Sequence, residues 1–388
     1  MYDTIFAAVA GTESADLDTQ VEVTAEAVAE AIVEKELAEV EVELAEQEKD
    51  IEKNDTAIEV LTEKVEELEE EISGMEGMLN GTTEFNSALF HDKMKRAAKI
   101  AARFGATVEI QGAESFADAS TASMNAVAGI ESFKERAGKA KEAIKKFFVD
   151  LYNGFIAFFM GIFNKFKGLE KQAKNLGTSV VKDPKEKVNL SASASWLPAN
   201  GKVSPAGDVS KVIGAVETAL KAGGKEGALS GVQSAVNALK AVGTASSIAS
   251  NEATETFKVT VGGGSFTVVY PKTVAGLGKV AVSGLTGGEA KKDQAPMEQG
   301  ALRSIANDVV GSAKALQFSK LDSKSLTAQR DNTIASLERM AAEDKTDVKE
   351  DIDAIKAACR AGLKLQKGAL SVAADLLQAQ LALVKAHY

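Results

Sequence analysis

Seven aliphatic side chains, Leu37, Leu44, Ile51, Ile58, Val65, Ile72 and Leu79, recur every seven residues. This is the period of a long helix with one apolar seam, and Val40, Leu61, Leu68 and Met75 fill four of the six intervening seam positions. Gln47 and Asn54 take the other two, and such polar seam residues weaken association while fixing its register. No proline precedes Pro184 and no aromatic residue falls between Phe6 and Phe85, so nothing here interrupts a helix.

The positions flanking the seam are acidic. Glu36, Glu41, Glu43, Glu48, Asp50, Asp55, Glu69, Glu71 and Glu76 account for nine of the twelve, with Ala57, Thr62 and Lys64 as the rest. Like charges at these positions oppose a parallel self-pair. A weak, salt-dependent homo-oligomer through this coiled coil is therefore expected, or a pairing with a basic partner. The alternative is a solvated helix packed back on its own body.

Net charge extends the pattern. The formal charge of −11 divides into −20 over residues 1–114 and +9 over residues 115–388. An acidic segment is joined to a basic one, and 388 residues suffice for two or three folding units. Aromatics make up only 5% of the chain and Trp196 is the single tryptophan, so the cores are expected to be built from small side chains. The first ten residues lack a basic stretch ahead of their short apolar run, which predicts no signal peptide.

After Gly74, Gly77 and Gly81, a basic helix is expected from Lys93 to Arg103, then a glycine-marked boundary from Gly105 to Gly112. From Ile130 the apolar residues Phe133, Ala137, Ala140, Ile144, Phe148, Leu151, Phe155, Phe159, Ile162, Phe166 and Leu169 alternate spacings of three and four. That is one face of a basic amphipathic helix, or of two helices broken near Gly154 or Gly161. Seven phenylalanines lie between Phe147 and Phe166, but the uncharged run Leu151 to Asn164 is too short to cross a bilayer. Phe133, Phe148, Phe155, Phe159 and Phe166 are the expected interaction face. It is read first as a packing surface against protein and second as a membrane-surface element.

Residues 181–207, with Pro184, Pro198 and Pro205, read as a linker. Residues 208–388 read as an Ala-rich helical domain with a β-hairpin near 257–270 around Gly262-Gly263-Gly264, and with three helical segments after Gly300. The fold class expected is mainly α: a long N-terminal coiled-coil helix, basic amphipathic helices and this helical C-terminal body.

Signatures of catalysis are few. The triple glycine precedes a strand, so no helix N-terminus follows it to hold phosphate. Ser179 and Lys182 match a Ser-x-x-Lys pattern in letters alone. The acids Asp344, Asp347, Glu350, Asp351 and Asp353 lack the glycine and spacing of a calcium loop. Cys359 has no disulfide partner, and His91 and His387 have no evident catalytic companions. No catalytic residue, cofactor or metal is expected.

Gly11-Thr12-Glu13-Ser14 and Gly112-Ala113-Glu114-Ser115 share a small-x-Glu pattern, and the second falls at the charge boundary. The pattern resembles the sites cut by the prohead maturation protease of large tailed bacteriophages. With the acidic helix and the basic Phe-rich stretch from Ser115 to Lys174, residues 1 to about 175 resemble the internal head and prohead core proteins of jumbo phages. The resemblance implies a non-enzymatic virion protein inside the capsid, assembled in the host cytoplasm, with an acidic propeptide ahead of a retained body. Glu13, Ser14, Glu114 and Ser115 are the implied cleavage positions, and a maturation protease and other core proteins the implied partners. The +9 body would also meet packaged DNA without reading its sequence. A membrane-active, pore-forming-like helical protein and a generic coiled-coil adaptor are the competing expectations.

Overall fold

The computed structural model describes residues 25–104, 112–178, 185–221, 224–317, 321, 323–341 and 346–388. Two long helices form its spine: α1 (Ala25–Leu79) and α3 (Ala119–Thr178), of 55 and 60 residues, roughly 80 and 90 Å long at helical rise. They lie antiparallel, with Leu37 against Gly168 and Ile51 against Gly154. α2 (Ser87–Arg103) folds across the far end of the pair.

The rest of the chain packs around the other end. α4 (Ala206–Lys221) and α5 (Gly224–Lys240) form an antiparallel hairpin, followed by the strands β2 (Thr244–Ser250), β3 (Thr254–Val261), β4 (Gly264–Pro271) and β5 (Thr286–Gly287). Short β1 (Val188–Leu190) pairs with β6 (Lys291–Gln294). Three helices close the chain: α6 (Gln299–Gln317), α7 (Ser323–Ala341) and α8 (Thr346–Lys385). α8 is apolar nearly all round from Cys359 to Val384, which is the pattern of a helix buried on every side. It packs against α3, α4, α5, α6 and α7 and reaches α1 through ion pairs.

The heptad residues and the phenylalanines of α3 lie inside the fold. Leu37, Leu44, Ile51, Ile58, Val65 and Ile72 are buried and Leu79 is half-buried. Phe133, Phe148, Phe155, Phe159 and Phe166 are all buried. The expected weak homo-oligomer needs correction, because the seam faces α3 and α8 of its own chain and is not available to a second copy in this fold. The basic flanks of α3 and α8 supply charge opposite to that of the carboxylates bordering the seam.

Three further features bear on the expected boundaries. α3 runs through Gly154 and Gly161 unbroken, the first of the two arrangements expected, since those glycines serve packing against α1. The stretch read as a linker contains β1 and a 3₁₀ turn, Ala192–Trp196, with Val188 and Leu197 buried. One hydrophobic core joins Val33 of α1 to Val384 of α8, and a second gathers Leu68, Phe90, Phe116 and Phe133. Ser179 and Lys182 lie outside the described residues, as do Glu13 and Ser14.

The expected hairpin is β3–β4, part of a four-stranded antiparallel sheet in the order β2-β3-β4-β5. Gly262 has φ +56° and its N-terminal neighbour strand ends against the 3₁₀ turn, where a Cβ would lie 2.5 Å from the Trp196 carbonyl oxygen. Gly263 N–H donates to Ser195 O at 2.8 Å. The glycines therefore let the turn press on another backbone segment, which is a packing role.

Candidate functional site

The seam of α1 enters α3 as a row of knobs into sockets. Gly154, Gly161 and Gly168 recur every seven residues on α3, opposite Ile51, Leu44 and Leu37. A Cβ on Gly161 would come within 2.9 Å of the Leu44 side chain, and one on Gly168 within 2.5 Å of Leu37. Two helices of matching seven-residue period, one bulky and one empty, fix both register and direction. Phe155, Phe158 and Phe159 complete the apolar floor beneath α1.

Charge follows the same line on both sides of the seam. Toward α3, Lys134 pairs with Glu76 at 2.5 Å, Lys141 with Glu69, Lys165 with Glu41 at 3.1 Å and Lys171 with Glu36 at 3.5 Å. Toward α8, Lys367 pairs with Glu48 at 2.9 Å, Lys385 pairs with Glu34, and Arg360 and Lys364 both reach Asp55. α2 adds Lys93, 2.8 Å from Glu71. Exposed pairs contribute little singly, about 0–1 kcal/mol. Their arrangement in two rims selects an acidic helix in one direction over a neutral or basic one.

Asp55 is different because it is buried. Arg360 Nε donates to it at 2.6 Å, Arg360 Nη2 also donates to its backbone oxygen at 3.3 Å, and Lys364 lies 2.5 Å away. Burial opposes its charge, but the bond from Arg360 and the charges of Lys364 and Arg360 outweigh that and hold the carboxyl below its usual range. Sequence reasoning missed these bases, although Arg360, Lys364 and Lys367 stand on one face of an otherwise apolar helix at spacings of four and three.

Further along α8, Asp375 is pushed up to about 6, chiefly by burial, with Lys165 and the Leu285 N–H pulling the other way and Glu41 and Glu48 adding to the rise. It borders a cleft of about 450 Å³ between α1, α3, α8 and the 3₁₀ turn, which Trp196 and Gln172 also line. Cys359 is buried, and burial pushes its thiol up to about 11, far from the reactive thiolate range. Among the described residues, no group of three or more His, Cys, Asp or Glu side chains is placed to hold a metal ion.

The Glu114–Ser115 bond lies in a 3₁₀ turn, Ala113–Phe116, ahead of α3. Ser115 N–H donates to Gly112 O at 3.0 Å, and Ser115 O accepts from Asn125 Nδ2 at 2.8 Å. Phe116 is 1% exposed, its ring 5.5 Å from that of Phe90 and 5.8 Å from that of His91. The chain on the carboxyl side of this bond is thus anchored by an aromatic cluster.

The profile of phiKZ-like phage internal head proteins matches residues 10–387, nearly the whole chain. The chain belongs to that family. As an internal head protein it is a component of the phage particle, located inside the capsid and assembled in the host cytoplasm. The family is a structural one, and an internal head protein contacts other capsid or core components. No curated protein and no solved structure matches this chain.

Proposed function

We propose that residues 1–114 are an acidic leader which lies in the basic groove of α3 and α8 during head assembly, and that a maturation protease cuts after Glu114. The observation carrying this reading is the pairing of the leader's carboxylates with the body's own lysines and arginine along both rims of the groove. In that state the basic rims are occupied, which suppresses contact with nucleic acid before packaging. Once the leader departs, a body of formal charge +9 faces DNA whose phosphates attract lysine without sequence readout.

The packing adds a requirement. A protease binds its substrate as an extended strand, so the turn at Ala113–Phe116 must open and Phe116 must leave its contacts with Phe90 and His91. Cutting is therefore coupled to loosening of the α2 end. Severing one bond also leaves the apolar seam in place, so departure of the leader needs a competitor for the groove or a further cut. The pattern at Glu13 lies ahead of α1, so a cut there would not by itself free the seam, and the same letters recur inside α1 at Gly74-Met75-Glu76.

The membrane-active reading gains less. α3 is long and apolar enough to cross a bilayer by length and composition, yet half of its most apolar window is buried within the chain. Phe155, Phe158 and Phe159 already have protein cover. An uncut adaptor role would leave the turn at Glu114 intact. Mass spectrometry of purified particles separates these readings: the leader account predicts N-terminal peptides beginning at Ser115, and full-length chain in stoichiometric amount would refute it.

A further inference from the structure

Among the described residues β2 is an edge strand with nothing paired to its outer side: the sheet order places it beyond β3, and all seven residues from Thr244 to Ser250 are exposed on both faces. It is held by its ladder to β3, from Thr244 opposite Thr260 to Ser250 opposite Glu255. Its other edge presents a row of backbone N–H and C=O groups. Proteins usually blunt such an edge with lysine, proline or inward charge. The run from Ala241 to Asn251 carries no charge and no proline, in a chain that is 26% charged, so those protections are missing and the ladder irregularity between Ser247 and Ala249 is the edge device that the strand carries.

We propose that β2 pairs antiparallel with β2 of a second copy of this chain, about a twofold axis at Ser247, making an eight-stranded sheet across two molecules. Paired about Ser247, Ala245 meets Ala249, Thr244 meets Ser250 and Ser246 meets Ile248 of the other copy. No charge faces a like charge, and every side chain but one is small. The exception is Ile248, which lies at the irregularity in the β2–β3 ladder, between Ser247 and Ala249, and is 56% exposed. In the pair both Ile248 side chains fall beside the axis and cover one another, giving the interface its apolar centre.

A second copy fits this edge better than a foreign peptide. Peptides that add a strand are selected by pockets for alternate side chains. Serine, alanine and threonine offer only main-chain pairing, and a twofold needs no second complementary surface. The assembly also closes at two molecules. At the opposite edge β5 has two residues, too few to continue edge-to-edge growth. One strand pair buries little area, so the dimer is weak and concentration-dependent.

Analytical ultracentrifugation of the full chain over a range of concentrations, with Ile248→Lys alongside, tests this. The wild type should show reversible monomer–dimer exchange, and Ile248→Lys should raise the dissociation constant by about tenfold or more with unchanged circular dichroism. Because Cys359 is buried, an introduced cysteine reports alone: Ser247→Cys should cross-link on mild oxidation and Ser230→Cys, exposed on α5, should not. A wild type that stays monomeric throughout would overturn the proposal. So would a dimer indifferent to Ile248→Lys, or equal cross-linking of the two cysteine variants.

Discussion

Asp55 concentrates the specificity of the α1 contact in one buried carboxylate. Removing a single partner leaves charge without compensation, so Asp55→Ala should destabilise the fold by about 3–5 kcal/mol, as should Arg360→Leu, measured by chemical denaturation. The pair change Asp55→Leu with Arg360→Leu should cost clearly less than the sum, because no orphan carboxylate remains. Asp375 behaves oppositely. Its folded value of about 6 lies above the ordinary carboxylate value of 3.8, so the native state binds the proton more tightly than the unfolded chain. Stability from this group is therefore greatest at low pH and falls as pH rises from about 4 through about 6. Asp375→Asn should accordingly stabilise the protein at pH 8 by on the order of 1–3 kcal/mol, with the gain vanishing near pH 4. A variant whose advantage persists at pH 4 would show that packing, not the charge, was altered.

At the scale of elements, the contact between α1 and α3 is a pairing of residues seven apart on both helices. Leucine is a better helix former than glycine by about 1 kcal/mol, so Gly161→Leu would stabilise an isolated helix. Here it must collide with Leu44, and we expect a net loss of about 1–3 kcal/mol in thermal or chemical unfolding. Relief by Leu44→Ala in the same chain would confirm that the socket is the cause. The seam itself was legible, since an aliphatic residue every seven positions in an aromatic-free stretch permits little else. The sockets were not, because a glycine inside a helical pattern reads equally as a break and as a close approach. Periodicity tells which face of a helix is apolar and is silent on what covers it. β3 and β4 were legible from clustered Val, Phe, Thr and Tyr. β2, with sequence Thr-Ala-Ser-Ser-Ile-Ala-Ser, buries no side chain and so leaves no alternation to read.

For the whole molecule, the charge step at residue 114 was visible in sequence, but its meaning in the fold is complementarity between two parts that share one core. The bases that meet α1 come from α3 and, in sequence, from more than three hundred residues further on in α8, a separation no local pattern reveals. This long-range closure also explains why the stretch near Pro184 and Pro198 gave the outline of a linker while the body on either side forms a single interior. If the exposed ion pairs select α1 and the seam holds it, high salt should loosen the rims without unfolding the chain. Hydrogen exchange in 1 M salt should then rise along α1 before it rises along α8.

In this fold α1 occupies the groove of its own chain. Zero-length carbodiimide cross-linking of an equal mixture of isotopically light and heavy protein measures this directly, because it joins amines to carboxylates already in contact. The account predicts cross-links joining Lys134 to Glu76, Lys171 to Glu36 and Lys367 to Glu48, all within chains of one isotope. Mixed-isotope products at these positions, or cross-links from α1 to sites away from α3 and α8, would contradict it.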